Sequence, residues 1–198
     1  MQFSPTRRRS SMKSFRAVPL CLALALSLIS ATAMAASSEQ VLMPRFEGYV
    51  KAFEASDPKT GDITEFVPKG QTVEAWTDMI TVNIAPNSAS VSPREFLGIM
   101  EAGWRGACPD TQANWLREGQ EHGRPMAVLM LSCPVNPATG KPETSWIKGI
   151  QGQEGFYTVQ KSFRTEVKEA DVVTWVKWLS GVMLCGGGEG PACPGDGR

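Results

Sequence analysis

Histidine is nearly missing from this sequence: His122 stands alone among 198 residues. A zinc site built on imidazoles, or a relay in which a histidine activates a serine or cysteine, therefore has little raw material. His122 lies in "GQEHGRP", which reads as an exposed hairpin tip with no nucleophile beside it. Neither Ser132 nor Ser180 is framed as G-x-S-x-G. No C-x-x-C spacing occurs, which removes the usual thiolate metal pattern. No stretch offers the roughly 20 apolar residues that a membrane-spanning helix needs. Net charge is absent as well, with 20 basic and 20 acidic residues.

That balance hides an asymmetry. Arg7, Arg8, Arg9, Lys13 and Arg16 precede the apolar stretch "AVPLCLALALSLIS", which is followed by the small-residue run "ATAMA". A basic start, a short apolar segment and an A-x-A exit describe a secretory signal peptide, expected to be removed after Ala35. Met12, opening "MKSFR", is an alternative start. Arg8-Arg9 lacks the aromatic that a twin-arginine signal would carry after its spacer, and Cys21 follows Leu20 where a lipoprotein cysteine needs a small residue. Residues 36–198 keep 15 bases against 20 acids, a mild negative charge that gives no electrostatic case for nucleic acid or an anionic membrane surface. A periplasmic or secreted location is expected, with no transmembrane segment after removal of the signal.

Four cysteines then remain: Cys108, Cys133, Cys185 and Cys193. An even count in an exported chain reads as disulfides. Three pairings are possible. Cys108–Cys133 with Cys185–Cys193 is the favoured one, because only the pliable "GGGEGPA" separates the second pair.

Residues 36–45 read as a flexible lead-in, 46–185 as one α+β domain, and 186–198 as a glycine-rich tail closed by a disulfide. Strand-like runs occur at Phe46–Ser56, in "ITEFV", and in "WTDMITVNI", where Trp76, Asp78, Ile80, Val82 and Ile84 share one face if the chain is extended. "SVSPREFLGIM" then supplies Ser92 as N-cap, Pro93 in the first turn and Glu95 three residues after the cap. Phe96, Ile99, Met100, Gly103 and Trp104 continue that helix as a stripe. "TQANWLRE" and "RPMAVLMLSC" predict a hairpin around "GQEHG", and the second of these runs is apolar on both faces, like a central strand. "TSWIKGI" and "GFYTVQKSFR" predict another hairpin. A final helix is expected from Lys168 to Leu184, with Val172, Val176, Leu179 and Met183 as its stripe, widened by Trp175 and Val182.

The order is thus βββ-α-ββββ-α: a mainly antiparallel sheet of six or seven strands packed by two helices. This order resembles the PsbP-like α-β-α sandwich, also seen in envelope proteins of the DcrB type. The segments "PKGQTVEAWTDMITV" and "FYTVQKSFR" are similar to segments of uncharacterised secreted proteobacterial proteins. The resemblance implies a fold and supplies no catalytic residues.

An acid on an apolar row needs a partner. Asp78 is expected to order the start of its strand, taking backbone donors or a base such as Arg164, with Trp76 as a core plug. Glu118 and Glu121 flank a turn and are expected to be solvated. "DPKTGDITE" has too few acids for an EF-hand loop, and "CGGGEGPAC" lacks the lysine and hydroxyl of a phosphate loop. Trp104, Trp115 and Arg117, together with Trp76 and Asp78, make up the candidate binding surface. No catalytic, metal-binding or cofactor-binding residue is assigned. The sequence points to a non-enzymatic binding or accessory domain whose partner is an envelope protein or a small apolar ligand between helix and sheet. The alternatives are an inhibitor or immunity protein against a toxin, and an acid-dependent hydrolase.

Overall fold

The computed structural model describes residues 38–188 and 190–194. The expected signal segment lies outside the described residues. Nine strands and two helices follow in chain order: β1 (Gln40–Leu42), β2 (Tyr49–Asp57), β3 (Gly61–Pro68), β4 (Asp78–Ala85), α1 (Pro93–Ala107), β5 (Gln112–Glu121), β6 (Arg124–Asn136), β7 (Lys141–Gln151), β8 (Phe156–Phe163), α2 (Glu169–Ser180) and β9 (Met183–Cys185). Seven of the strands form one antiparallel sheet in the order β2-β3-β4-β8-β7-β6-β5. The expected α+β architecture is the one observed.

Two meanders build the sheet, β2–β4 and β5–β8, and their last strands meet in the middle. That pairing makes β8 the central strand. The apolar run of β6 has a different cause from the one expected, since β6 lies next to the edge strand β5. Its alternate residues feed two cores. Ala127, Leu129 and Leu131 pack beneath α1, while Met126 belongs to the core beneath α2. The sheet therefore lies between the two helices.

α1 starts as its sequence dictates. The Ser92 hydroxyl accepts from the Glu95 backbone N–H, and the Glu95 carboxylate accepts from the Ser92 backbone N–H. Leu97, absent from the expected stripe, is its most deeply buried side chain, whereas Ile99 faces solvent. Burying a leucine fully contributes about 1.5–3 kcal/mol. Phe96 stacks on Phe156 with ring centroids 4.1 Å apart. The helix ends at Cys108, whose disulfide to Cys133 ties it to β6.

α2 stops at Ser180, four residues before its expected end. Gly181 closes it, and Met183–Cys185 turns into β9. The partner of β9 is β1, with Gln40 opposite Cys185 and Leu42 opposite Met183. Part of the expected flexible lead-in is thus a strand. Glu39 anchors it further: its carboxylate pairs with Arg124 at 2.8 Å and accepts from the backbone N–H groups of Gln153 and Glu154. Arg124 also donates to the Gly186 carbonyl. Gly187 in the tail has φ +67°, and a Cβ there would come within 2.6 Å of the Glu39 carboxylate. The Cys185–Cys193 disulfide closes this tail, so both favoured pairings are present. Among the described residues, no helix is long and apolar enough to cross a membrane.

Candidate functional site

Two clefts lie on the α2 side of the sheet, one polar and one apolar. The polar cleft forms where β4 begins. Asp78 meets two groups that sequence reading did not assign to it: the Tyr49 hydroxyl donates to Asp78 Oδ1, and Lys161 Nζ donates to the same oxygen. Lys161 also donates to the Tyr49 oxygen at 2.6 Å, and the Thr77 hydroxyl donates to Asp78 Oδ2 at 3.0 Å. The Lys161 side chain has no solvent exposure. Its ammonium is walled by aromatic faces, 3.9 Å from the Trp175 ring centroid and 4.7 Å from those of Tyr49 and Phe163. Such faces attract a cation through the ring quadrupole. A space of about 450 Å³ opens beside the cluster, rimmed by Glu166, Lys168 and Asp171.

Arg164, the expected partner of Asp78, pairs with Glu143 at 3.3 Å and stacks over Trp76 at 3.9 Å instead. Trp76 leaves the expected row. It lies before β4 and packs with Val67 and Met79, while Ile80, Val82 and Ile84 belong to the core under α2. The opposing signal was present on β8, where Lys161 interrupts the alternating row Tyr157, Val159, Phe163. An acid on one apolar row and a base on another suggest a cross-strand pair. The register makes it one, placing Asp78 opposite Phe163 and Lys161 opposite Ile80, so that acid and base are diagonal neighbours.

Burial outweighs the attraction of Asp78 and lowers the Lys161 pKa from 10.5 to about 8. Burial, followed by the Asp78 hydrogen bond, raises that of Tyr49 well above its ordinary 10. Between pH 8 and 10.5 the unfolded chain therefore binds the lysine proton that the folded chain has released, so stability rises with pH there. Above pH 10 the unfolded tyrosine ionises while the folded one keeps its proton, so stability falls. Tyr157, raised by burial and then by Glu39, acts in the same direction as Tyr49. Denaturant midpoints should climb from pH 8 to a maximum near pH 10 and decline beyond it. A steady fall from pH 8 upward would contradict this assignment.

The apolar cleft lies between α2 and the strands β5, β6 and β7. It has a volume of about 260 Å³ and is lined by Leu116, Met126, Val128, Trp146, Val176 and Leu179. α2 packs toward β8, and the cleft opens beside it in the direction of the edge strand β5. Leu116 is 49% exposed and Val176 38%. Arg117 and Lys148 are also in its wall. Lys148 is buried, and its ammonium donates to Glu121 and, at 2.6 Å, to the Val182 carbonyl. Burial lowers its pKa as well. Glu121 was expected to be solvated; it is instead mostly enclosed and pairs with both Lys148 and Arg117.

The five residues proposed from sequence as one surface do not converge. Trp104 packs against the core beneath α1. Trp115 does too, donating its indole N–H to Glu101 at 3.2 Å with Arg94 over its ring. Arg117 lies across the bulge at Leu116, on the opposite face of the sheet. Trp76 and Asp78 sit on β4 and the loop before it, separated from β5 by β8, β7 and β6. His122 is where expected: exposed, in a two-residue turn with Gly123, both at positive φ. Among the described residues, no group of three or more metal-binding side chains occurs.

The described residues thus form an α+β domain with an ionisable cluster around Asp78 and an apolar cleft beside α2. No family model matches the chain, and no curated protein matches it. Among solved structures, LpqN of Mycobacterium tuberculosis, described as involved in cell envelope biogenesis, is similar over 74% of this chain and 84% of that one, at 10% identity and a TM-score of 0.38. A likeness of that size carries no argument about what this chain does.

Proposed function

We propose that this is an extracytoplasmic binding domain, and that its ligand is a small apolar molecule held between α2 and the sheet. The carrying observation is the cleft itself, an open concave space walled by large apolar side chains from α2 and the sheet. Ligand sites are typically concave and mostly apolar, with a few polar groups for orientation; most are roughly 300–1,000 Å³, so this one suits a small ligand. Two disulfides support the location, since such bonds persist outside the reducing cytoplasm. The protein-partner reading drew on an exposed Trp/Arg cluster, whereas Trp104 and Trp115 pack into the core between α1 and the sheet.

The acid-dependent hydrolase remains a second reading because ionisable groups do gather at Asp78 beside an open cleft. The geometry favours anchoring over catalysis. Lys161 is fully enclosed, and both Asp78 oxygens already accept donors.

N-phenyl-1-naphthylamine, a neutral apolar fluorophore, tests the cleft. Its fluorescence should rise and saturate at one equivalent on the wild-type domain. Val176→Trp, which fills the space from an exposed position, should weaken binding by about tenfold or more, equivalent to about 1.4 kcal/mol. Undiminished binding by that variant would place the ligand elsewhere.

A further inference from the structure

The cleft's wall is not electrically neutral, and this narrows the class of ligand. We infer that the apolar cleft is built for a single-chain amphipathic anion, its chain along Met126, Val128, Trp146 and Leu179 and its acidic head between Arg117 and Lys148. This rests on the binding reading above and goes further by assigning the chemistry of the head.

Both charged residues in the wall are cations. Glu121 is the carboxylate that meets them, with its Oε1 3.3 Å from Arg117 and its Oε2 against Lys148. Two positive charges against one negative leave a surplus of one at the polar end of an otherwise apolar space. An ammonium has three N–H donors. Among the described residues, Lys148 gives its bonds to two acceptors, Glu121 and the Val182 carbonyl. Arg117 is the adaptable member: its side chain is 55% exposed, and a guanidinium can hold a carboxylate or phosphate oxygen pair through parallel N–H donors. A neutral oil would leave this surplus unanswered, and a cationic amphiphile would oppose it.

The geometry also limits size. At about 260 Å³ the cleft suits one short chain, and its position against the α2 edge leaves the head at the solvent boundary beside Arg117.

Three ligands matched in chain length separate the possibilities: decanoate, 1-decanol and decyltrimethylammonium, titrated calorimetrically below their aggregation concentrations. Decanoate should bind wild-type protein about tenfold more tightly than decanol, the factor given by about 1.4 kcal/mol of added head-group interaction, with decyltrimethylammonium weakest. Arg117→Glu, at an exposed position, should reverse the order of decanoate and decyltrimethylammonium. Lys51→Glu, on the exposed β2 strand, changes net charge equally and should leave the order unchanged. Equal binding of decanoate and decanol, with both lost in Val176→Trp, would overturn the acidic head and leave the apolar cleft standing. Binding of all three that ignores Val176→Trp would overturn both. A doubling of molecular mass that hides the cleft from every probe would assign the surface to a second copy of the chain and overturn the inference.

Discussion

Lys161→Met should destabilise the domain by about 3–5 kcal/mol, the range found when one partner of a buried ion pair is removed. The loss has two sources. Asp78, mostly enclosed, is left with only the Tyr49 and Thr77 hydroxyls as partners. The aromatic faces of Tyr49, Phe163 and Trp175 also lose the cation they surround. Trp175 belongs to α2, so the same substitution should loosen that helix from the sheet. The double variant Asp78→Leu/Lys161→Met should be more stable than the two single effects added together predict, because no lone charge is then left buried. Denaturant unfolding of the four proteins measures the coupling, and strict additivity would show that the pair is not the source. A further variant distinguishes anchoring from catalysis. Asp78→Asn should lower stability, and a substrate whose turnover vanished while folding stayed intact would place chemistry at Asp78.

The second large effect concerns the bridge from Cys108 to Cys133. Replacing both cysteines with alanine should cost about 3.5 kcal/mol, as the loop-entropy relation gives for a separation of 25 residues. The bridge joins the C-cap of α1 to β6, so its removal should also free the last turn of the helix, where Trp104 packs. Removing Cys185–Cys193, with a separation of 8, should cost less, about 2.5 kcal/mol. Unfolding of the two double-alanine variants gives both values. A larger loss from the second would mean that its role in holding the tail against Glu39 and Arg124 outweighs loop size.

What could be read in the sequence follows the range of the interactions involved. The capping box of α1 is visible because Ser92 and Glu95 are three residues apart, and its geometry is complete within that turn. Strand order was legible from alternating runs and turns. The partner of Asp78 was not, because Lys161 lies 83 positions away and meets it only through the β4–β8 register. β1 was unreadable for a related reason. Three residues have no strand signal of their own, and they become a strand only because Met183–Cys185 returns beside them. The premature end of α2 belongs to the same event, since the chain leaves the helix to complete that pair. The apolar cleft was anticipated in kind, between helix and sheet, but its cations were not. Lys148 looked like an ordinary strand residue, and only folding brings Glu121 and the Val182 carbonyl to it.

The pairing of β1 with β9 has a mechanical consequence. Gln40 lies opposite Cys185, so the chain enters and leaves this ribbon at the same end, and Cys193 passes any load on the tail straight to Cys185. Tension drawn on the two ends would act on the ribbon as on a zip, parting one backbone bond at a time, and would not strain all of them together. Glu39 stands just outside that shared end, so traction would first tear it from Arg124 of β6 and then open the ribbon, leaving the rest of the seven-stranded sheet with little of the pull.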